Sequence, residues 1–395
     1  MTTYGENQDR QRGRVATSLL FLLFGTALGT WTSRIPAVKA GLGLSDGSLS
    51  IALLAFAVGA IVGMVGLGRL VDRLGSTRIM VPTAVGEGVL LVPPAYAPNL
   101  ITLAAALFVF GAVHGTLNIA MNANAIEVQR AWGRPIMSSF HAVYSIGGFL
   151  GAAIGGVFAR LDISAGVTFL AVGGGVVALA VWAALWALPA AVKVPTRPEP
   201  AVSSGPRFRY DLLFLGVLAM FALVGEGTAA DWSAVYLREN LHTTAGFAAS
   251  AFASFSIMMT VGRLVGDRLA AAWGPVALVR VCGVLASVGM TVALLIGRPI
   301  AAVIGFGCLG AGMSCIAPQV YSAAGNRDPA RAGRALSQVV SLGYAGFVIG
   351  PIVIGGASTV VGLPRALEIP ALLVLLVAVG ATALRPRQID STLSI

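Results

Sequence analysis

The chain has 395 residues, 57% of them hydrophobic and only 11% charged, with a mean hydropathy of +0.86; a soluble domain carries about 25% charged residues, so an ordinary water-soluble protein is excluded. The formal net charge is +10. With the N-terminus in the cytoplasm, about 20 of the 26 Lys and Arg residues fall on the cytoplasmic side and about six outside, so the basicity encodes membrane orientation and not a nucleic-acid footprint.

A hydrocarbon core about 30 Å thick is crossed by roughly 20 apolar residues in helical form. Twelve such runs are read in chain order, near 15–36, 48–71, 79–97, 100–126, 137–159, 166–188, 211–237, 246–270, 276–296, 299–323, 335–357 and 364–385. The expected fold is an all-α integral membrane protein of twelve transmembrane helices, arranged as two pseudo-symmetric six-helix bundles with both termini cytoplasmic. The parts are a tail (1–14), an N-terminal bundle (15–188), a linker (189–210), a C-terminal bundle (211–385) and a second tail (386–395). The first run has the length of a span, not of a signal-peptide core, and is read as uncleaved.

The first run ends on Trp31 and Arg34. Arg34 can pair with an acid, bind an anionic solute or snorkel to water. After the second run comes "GRLVDRLGSTR", Gly68 to Arg78. Asp72 can meet a helix N-terminus or a neighbouring Arg, while Arg73 and Arg78 can pair with acids or lipid phosphates. Glu87 lies inside the third run, and its neighbours suggest no partner.

In the fourth run His114, Asn118 and Asn122 recur every four residues and so share one helix face. That face must meet partners or water, either as the wall of a wet cavity or as amide contacts between helices. Glu127, beside Arg130 at the end of this run, reads as a helix-end or inner-gate group. The fifth run places Ser138, His141 and Ser145 at helical spacing with Tyr144 adjacent. His141 is either a proton relay or a hydrogen-bonded core residue.

The Pro-rich, basic stretch from Leu188 to Asp211 divides the runs six and six. In the seventh run Glu226 stands between Gly225 and Gly227 about 15 residues in, just past the midplane, with Asp231 and Trp232 nearer the outer rim. An acid at that depth is a candidate proton site, or else the partner of Arg34. Pro318 in the tenth run is expected to kink its helix beside Gln319 and Tyr321, and Gln338 and Tyr344 add polar tips from the eleventh. Trp31 and Trp232 suit either stacking on a solute or an interfacial aromatic belt.

The halves repeat. "GRLVDRLG" from Gly68 returns as "GRLVGDRL" from Gly262, "SIGG" at Ser145 as "SLGY" at Ser341, and Trp31 as Trp232, at offsets of about 194 to 201 residues. A repeat of this size is that of a duplicated transporter half, and two such halves can rock about a bound solute. The Gly68 loop, through Gly68, Leu70, Asp72, Arg73, Gly75 and Arg78, resembles the signature loop of the major facilitator superfamily. Its echo at Gly262, Arg263, Asp267 and Arg268 carries one inserted residue, Gly266. The resemblance implies a cytoplasmic gate formed by these residues.

"WTSRIPAVK", "LNIAMNANAIEVQ", "SSFHAVYSIGGFLGA", "EGTAADWSAVYLREN" and "GYAGFVIGPIVIGG" resemble the fucose-permease branch of this superfamily and its uncharacterised bacterial members. The resemblance implies proton-coupled solute transport and a central cavity lined by the first, fourth, seventh and tenth helices. Candidate lining residues are Trp31, Arg34, His114, Asn118, Asn122, His141, Tyr144, Glu226, Trp232, Gln319, Tyr321, Gln338 and Tyr344, and the proton candidates are Glu226 and Asp231. The branch's two functional acids fall on Asn118 and near Thr32, neither of which carries a proton, so coupling has moved to another acid or the protein is a uniporter.

The primary expectation is a secondary active transporter of a small polar or amphipathic solute, a sugar among them, in the plasma membrane of a bacterium. The alternatives are a drug or natural-product exporter of the same fold and a non-transporting membrane sensor or scaffold. No enzyme activity, cofactor or metal is expected, and Cys282, Cys308 and Cys315 read as small buried thiols. The expected partners are the solute, protons and membrane lipid, with the protein a monomer.

Overall fold

A computed structural model of the chain describes residues 2–44, 46–186, 210–243, 245–327 and 331–385. The 189–210 linker, but for Tyr210, and the 386–395 tail lie outside these residues. The described residues are helical: α1 (Thr2–Gly41), α2 (Asp46–Leu74), α3 (Ser76–Leu90), α4 (Leu100–Trp132), α5 (Met137–Arg160), α6 (Ala165–Trp186), α7 (Tyr210–Val235), α8 (Ala245–Ile296), α9 (Pro299–Met313), α10 (Ile316–Arg327), α11 (Ala332–Val361), α12 (Leu363–Ala366) and α13 (Glu368–Gly380). Ten helical runs among them are long and apolar enough to cross a membrane. The second helix has a shorter apolar stretch, Ile51–Leu67.

Three boundaries differ from the sequence reading. α1 begins at Thr2, so residues 2–14, expected as a tail, are helical. The runs at 246–270 and 276–296 form one helical stretch broken at Gly274 (φ 75°, ψ 164°), with Pro275 following; only a glycine takes that φ without strain. The tenth run breaks between Met313 and Ile316. Pro318 therefore sits in the first turn of α10, and the carbonyl its ring displaces belongs to Ser314, four residues back.

The chain divides into two compact units: residues 1–207 with 263–267, and residues 208–262 with 268–395. In the first, α1 packs on α5 and α6, α2 on α4, and α3 on α4 and α6. The α1–α5 crossing is closed by Gly25 and Gly29 against Gly147 and Gly151, where any added Cβ would strike the opposing backbone. This small-xxx-small contact lets helices approach where lipid provides no hydrophobic drive. In the second unit α7 packs on α11 and α13.

Candidate functional site

The α3–α4 contact of the N-terminal unit places the imidazole Nδ1 of His114 2.7 Å from Oε1 of Glu87. Both side chains are buried, 1% and 0% exposed. Phe24 of α1 stacks on the imidazole with ring centroids 3.9 Å apart, and Phe56 of α2 and Phe110 of α4 close in at 5.3 and 6.1 Å. The expectation that Glu87 lacks a partner is thus corrected. The partner lies on another helix, 27 residues away, where no spacing rule within one helix reaches it.

Below His114 on the same face, Asn122 donates through Nδ2 to the backbone carbonyl of Asn118 (2.8 Å) and to its Oδ1 (3.1 Å). Oδ1 of Asn122 is buried without a hydrogen-bond partner. Asn124, on another face, joins three helices. It accepts from the Thr17 hydroxyl of α1 (2.7 Å) and donates to Ser76 Oγ at the start of α3 (3.2 Å), and Ser76 donates to Glu127 Oε2 (2.9 Å). Glu127 therefore ties α4 to α3.

In the signature loop Gly75 adopts φ 91° between α2 and α3. Asp72 is half-buried, and Arg73 and Arg78 are exposed. The side-chain surroundings at Gly68 lie outside the described residues. Of the echoed loop, residues 263–267 pack as part of the N-terminal unit. Asp267 accepts from the backbone amides of Ser138 and Ser139, each at 2.8 Å. Those amides open α5, whose own N-cap residue Ile136 offers no side-chain bond, so a carboxylate satisfies orphan donors at the positive end of a helix. Arg263 Nη1 donates to Ser145 Oγ at 2.5 Å. Gly262 lies tight against Ser314 in the C-terminal unit, and Arg268 is exposed.

His141 is buried with its ring edge to Phe21 at 5.4 Å, and Tyr144 lies against Phe24 at 5.6 Å. At the far end of α1, Trp31 is 2% exposed and packs against Phe169 inside the unit. Arg34, 4% exposed, donates to the carbonyls of Ile163 (2.6 Å) and Gly155 (3.4 Å). It borders a cavity of about 630 Å³ with Tyr96, Asp162 and Ser164.

In the C-terminal unit Glu226 is half-buried and Asp231 exposed. Gly225 faces the Met313 side chain and Gly227 faces Phe347, so both glycines make room for bulky neighbours. Trp232 is half-buried beside Gly355, its indole Nε1 without a hydrogen-bond partner. Gln319 and Tyr321 are buried, Gln338 is exposed, and Tyr344 meets Phe347 edge-on at 5.8 Å. Glu368 was missed by the sequence reading. It accepts from Thr291 at 2.8 Å, and its one signal is an acid inside an apolar run. Cys282 and Cys315 are free thiols in a small core with Ala270 and Leu278.

The major facilitator superfamily model matches residues 17–351, most of the chain. The chain belongs to the major facilitator superfamily. An uncharacterised transporter of Sinorhizobium fredii is 34% identical over 377 residues, covering 92% of this chain and 96% of that protein. An uncharacterised transporter of the same superfamily from Yersinia pestis is 34% identical over 390 residues, covering 97% and 99%. The membrane protein MosC of Rhizobium meliloti is 31% identical over 362 residues, covering 91% and 87%. Among solved structures, FucP in its outward conformation matches with a TM-score of 0.78 at 19% identity, covering 94% of this chain and 98% of its own. A second FucP structure, titled as the fucose:proton symporter of E. coli, gives 0.74. These likenesses show that this superfamily member is a membrane transporter with the FucP fold.

Proposed function

We propose that the protein is a secondary active transporter that moves a small polar or amphipathic solute, sugars included, across the bacterial cytoplasmic membrane by alternating access, with proton linkage. The observation that carries this reading is the buried amide pair Asn118–Asn122 on α4, with one carbonyl oxygen unpartnered. A polar group so placed in a membrane protein disfavours the fold unless a hydroxylated or charged solute, or water, meets it during the cycle. Twelve crossings with cytoplasmic termini fit the ten long apolar helices once α2 is counted and α8 is divided at Gly274. The division at 15–188 and 211–385 follows, and the loops at Gly68 and Gly262 serve as cytoplasmic gates. The fold shared with a protein titled a fucose:proton symporter favours proton linkage, with Glu226 and Asp231 as the acids offered by the C-terminal unit.

The test is uptake into proteoliposomes of radiolabelled monosaccharides, polyols and amphipathic cations, with and without an inward proton gradient, for wild type and Glu226→Gln. Gradient-driven accumulation of a neutral hydroxylated solute supports the reading, and its loss in the variant places coupling at Glu226. Equal accumulation in both removes Glu226 from that role. Gradient-driven loss of preloaded cations alone favours the exporter.

A further inference from the structure

The N-terminal unit contains few groups able to hold a proton inside its spans. Residues 15–33 of α1, 47–68 of α2 and all of α6 contain no titratable side chain. α5 contributes His141 and Tyr144, and the interior of α3 and α4 contributes Glu87 and His114. The last two face each other at 2.7 Å. Their surroundings are aromatic: Phe24, Phe56 and Phe110 surround the imidazole, and Tyr144 is separated from it by Phe24. Oε2 of Glu87 is buried with no hydrogen-bond partner, so half of the carboxyl group's acceptor capacity is unspent.

The fold does not need this pair. In the α2–α4 crossing Gly111 meets the Phe56 carbonyl, and about 199 residues on Gly310 meets the Phe255 carbonyl in the same way. Displaced by that offset, Glu87 and His114 fall on Ala286 and Met313. There the neighbouring Gly312 packs against Ala286, and Met313 fills the space beside Gly225. The same architecture is thus completed with apolar atoms in one unit and with an acid and an imidazole in the other. Apolar replacement of a buried polar pair is commonly neutral or stabilising, so packing alone does not account for the polar version.

We propose that Glu87 and His114 form a proton-handling site of the N-terminal unit, a carboxyl–imidazole pair that takes up and releases one proton during transport. When loaded, the added proton lies on the imidazole Nε2, the Oε1···Nδ1 hydrogen bond is kept, and the pair is net neutral. On release it passes to water, leaving a carboxylate that accepts from the Nδ1–H of a neutral imidazole, with net charge −1. That charge is poorly solvated among three phenyl rings, so release waits until water reaches Oε2. Proton exchange is in this way tied to wetting of the α3–α4 contact, and the pair acts only in the state that admits water. The inference rests on the proton-linked reading for its place in the cycle, but not for the chemistry of the pair.

The experiment uses the full chain in lipid nanodiscs, labelled with ¹⁵N-histidine. The chain has three histidines, and His114→Gln assigns the signal of interest. Between about pH 5 and about pH 9, the range open to a histidine couple, the His114 signal should show one reversible transition. Its midpoint should move by about one unit or more in Glu87→Gln and stay close to wild type in Glu87→Asp, which keeps the carboxyl. A His114 signal that is constant across the range, or a transition identical in Glu87→Gln, overturns the proposal. Thermal unfolding checks that each variant is folded, and if Glu87→Gln is not, the comparison passes to Glu87→Ala, which removes the carboxyl and keeps the His114 signal. In proteoliposomes, gradient-driven accumulation of whichever solute the panel yields should fall about tenfold or more in Glu87→Gln while exchange without a gradient persists. Equal loss of both assigns the pair a structural role and overturns the proposal. If no solute accumulates in wild type, the transport reading fails on its own and the titration still decides the chemistry of the pair.

Discussion

The crossing of α1 with α5 and its repeat-related counterpart, α7 with α11, are built differently. In the first, Gly25, Gly29, Gly147 and Gly151 bring backbone onto backbone. In the second, Gly216 faces the Leu342 side chain and Gly343 faces Ala219 and Leu223, while Gly346 lies tight against the Met220 carbonyl and Gly350 meets the Val224 backbone only at ordinary contact distance. The α2–α4 type of crossing, by contrast, is kept tight in both units through Gly111 and Gly310. Duplication has therefore preserved one contact and loosened another. The looser contact is made of side chains that have rotamers to exchange, on the helix that carries Glu226.

The largest expected effect follows from this contrast. Gly29→Leu should destabilise the protein by about 3 kcal/mol or more, since the backbone opposite cannot yield as a side chain can. Gly343→Ala at the counterpart crossing should cost no more than about 1 kcal/mol. Thermal unfolding in detergent compares the two, and equal losses would end the distinction between rigid and adaptable crossings.

Next in size is the Glu87–His114 pair. A double-mutant cycle with Glu87→Ala and His114→Met should give a coupling of about 1–3 kcal/mol, because either single change strands a buried polar group and the double change strands none. A cycle of Ala286→Gly with Met313→Ala, where the sister crossing is apolar, should give a coupling near zero. Asp267→Ala should cost about 1 kcal/mol by removing the acceptor at the start of α5, and hydrogen exchange at Ser138 and Ser139 should quicken while the interior of α5 stays protected. The smallest effect on stability belongs to Glu226→Gln, within about 0.5 kcal/mol for a near-isosteric change at a half-buried position. Its value lies in the transport assay.

The sequence made the membrane class and the superfamily legible because these depend on composition and a loop motif, both of which are local. The shared face of His114, Asn118 and Asn122 was legible for the same reason, since helical periodicity is a property of one helix. Glycine pairs four apart were visible too, but their meaning depends on which helix lies opposite. The Glu226 reading drew on depth within a run, which spacing gives. The pairing of Glu87 with His114, the tie from Thr17 through Asn124 and Ser76 to Glu127, and the Thr291–Glu368 bond were not legible.

By itself, the sequence determined that this chain lives in a bilayer and which residues are too polar to face lipid. Those conclusions follow from the cost of each side chain against hydrocarbon, paid residue by residue. Which polar group meets which was decided only by the tertiary structure. The register of α3 against α4 decides that Glu87 meets an imidazole, and register depends on how the two helices pack, Gly86 against Val113 among those contacts.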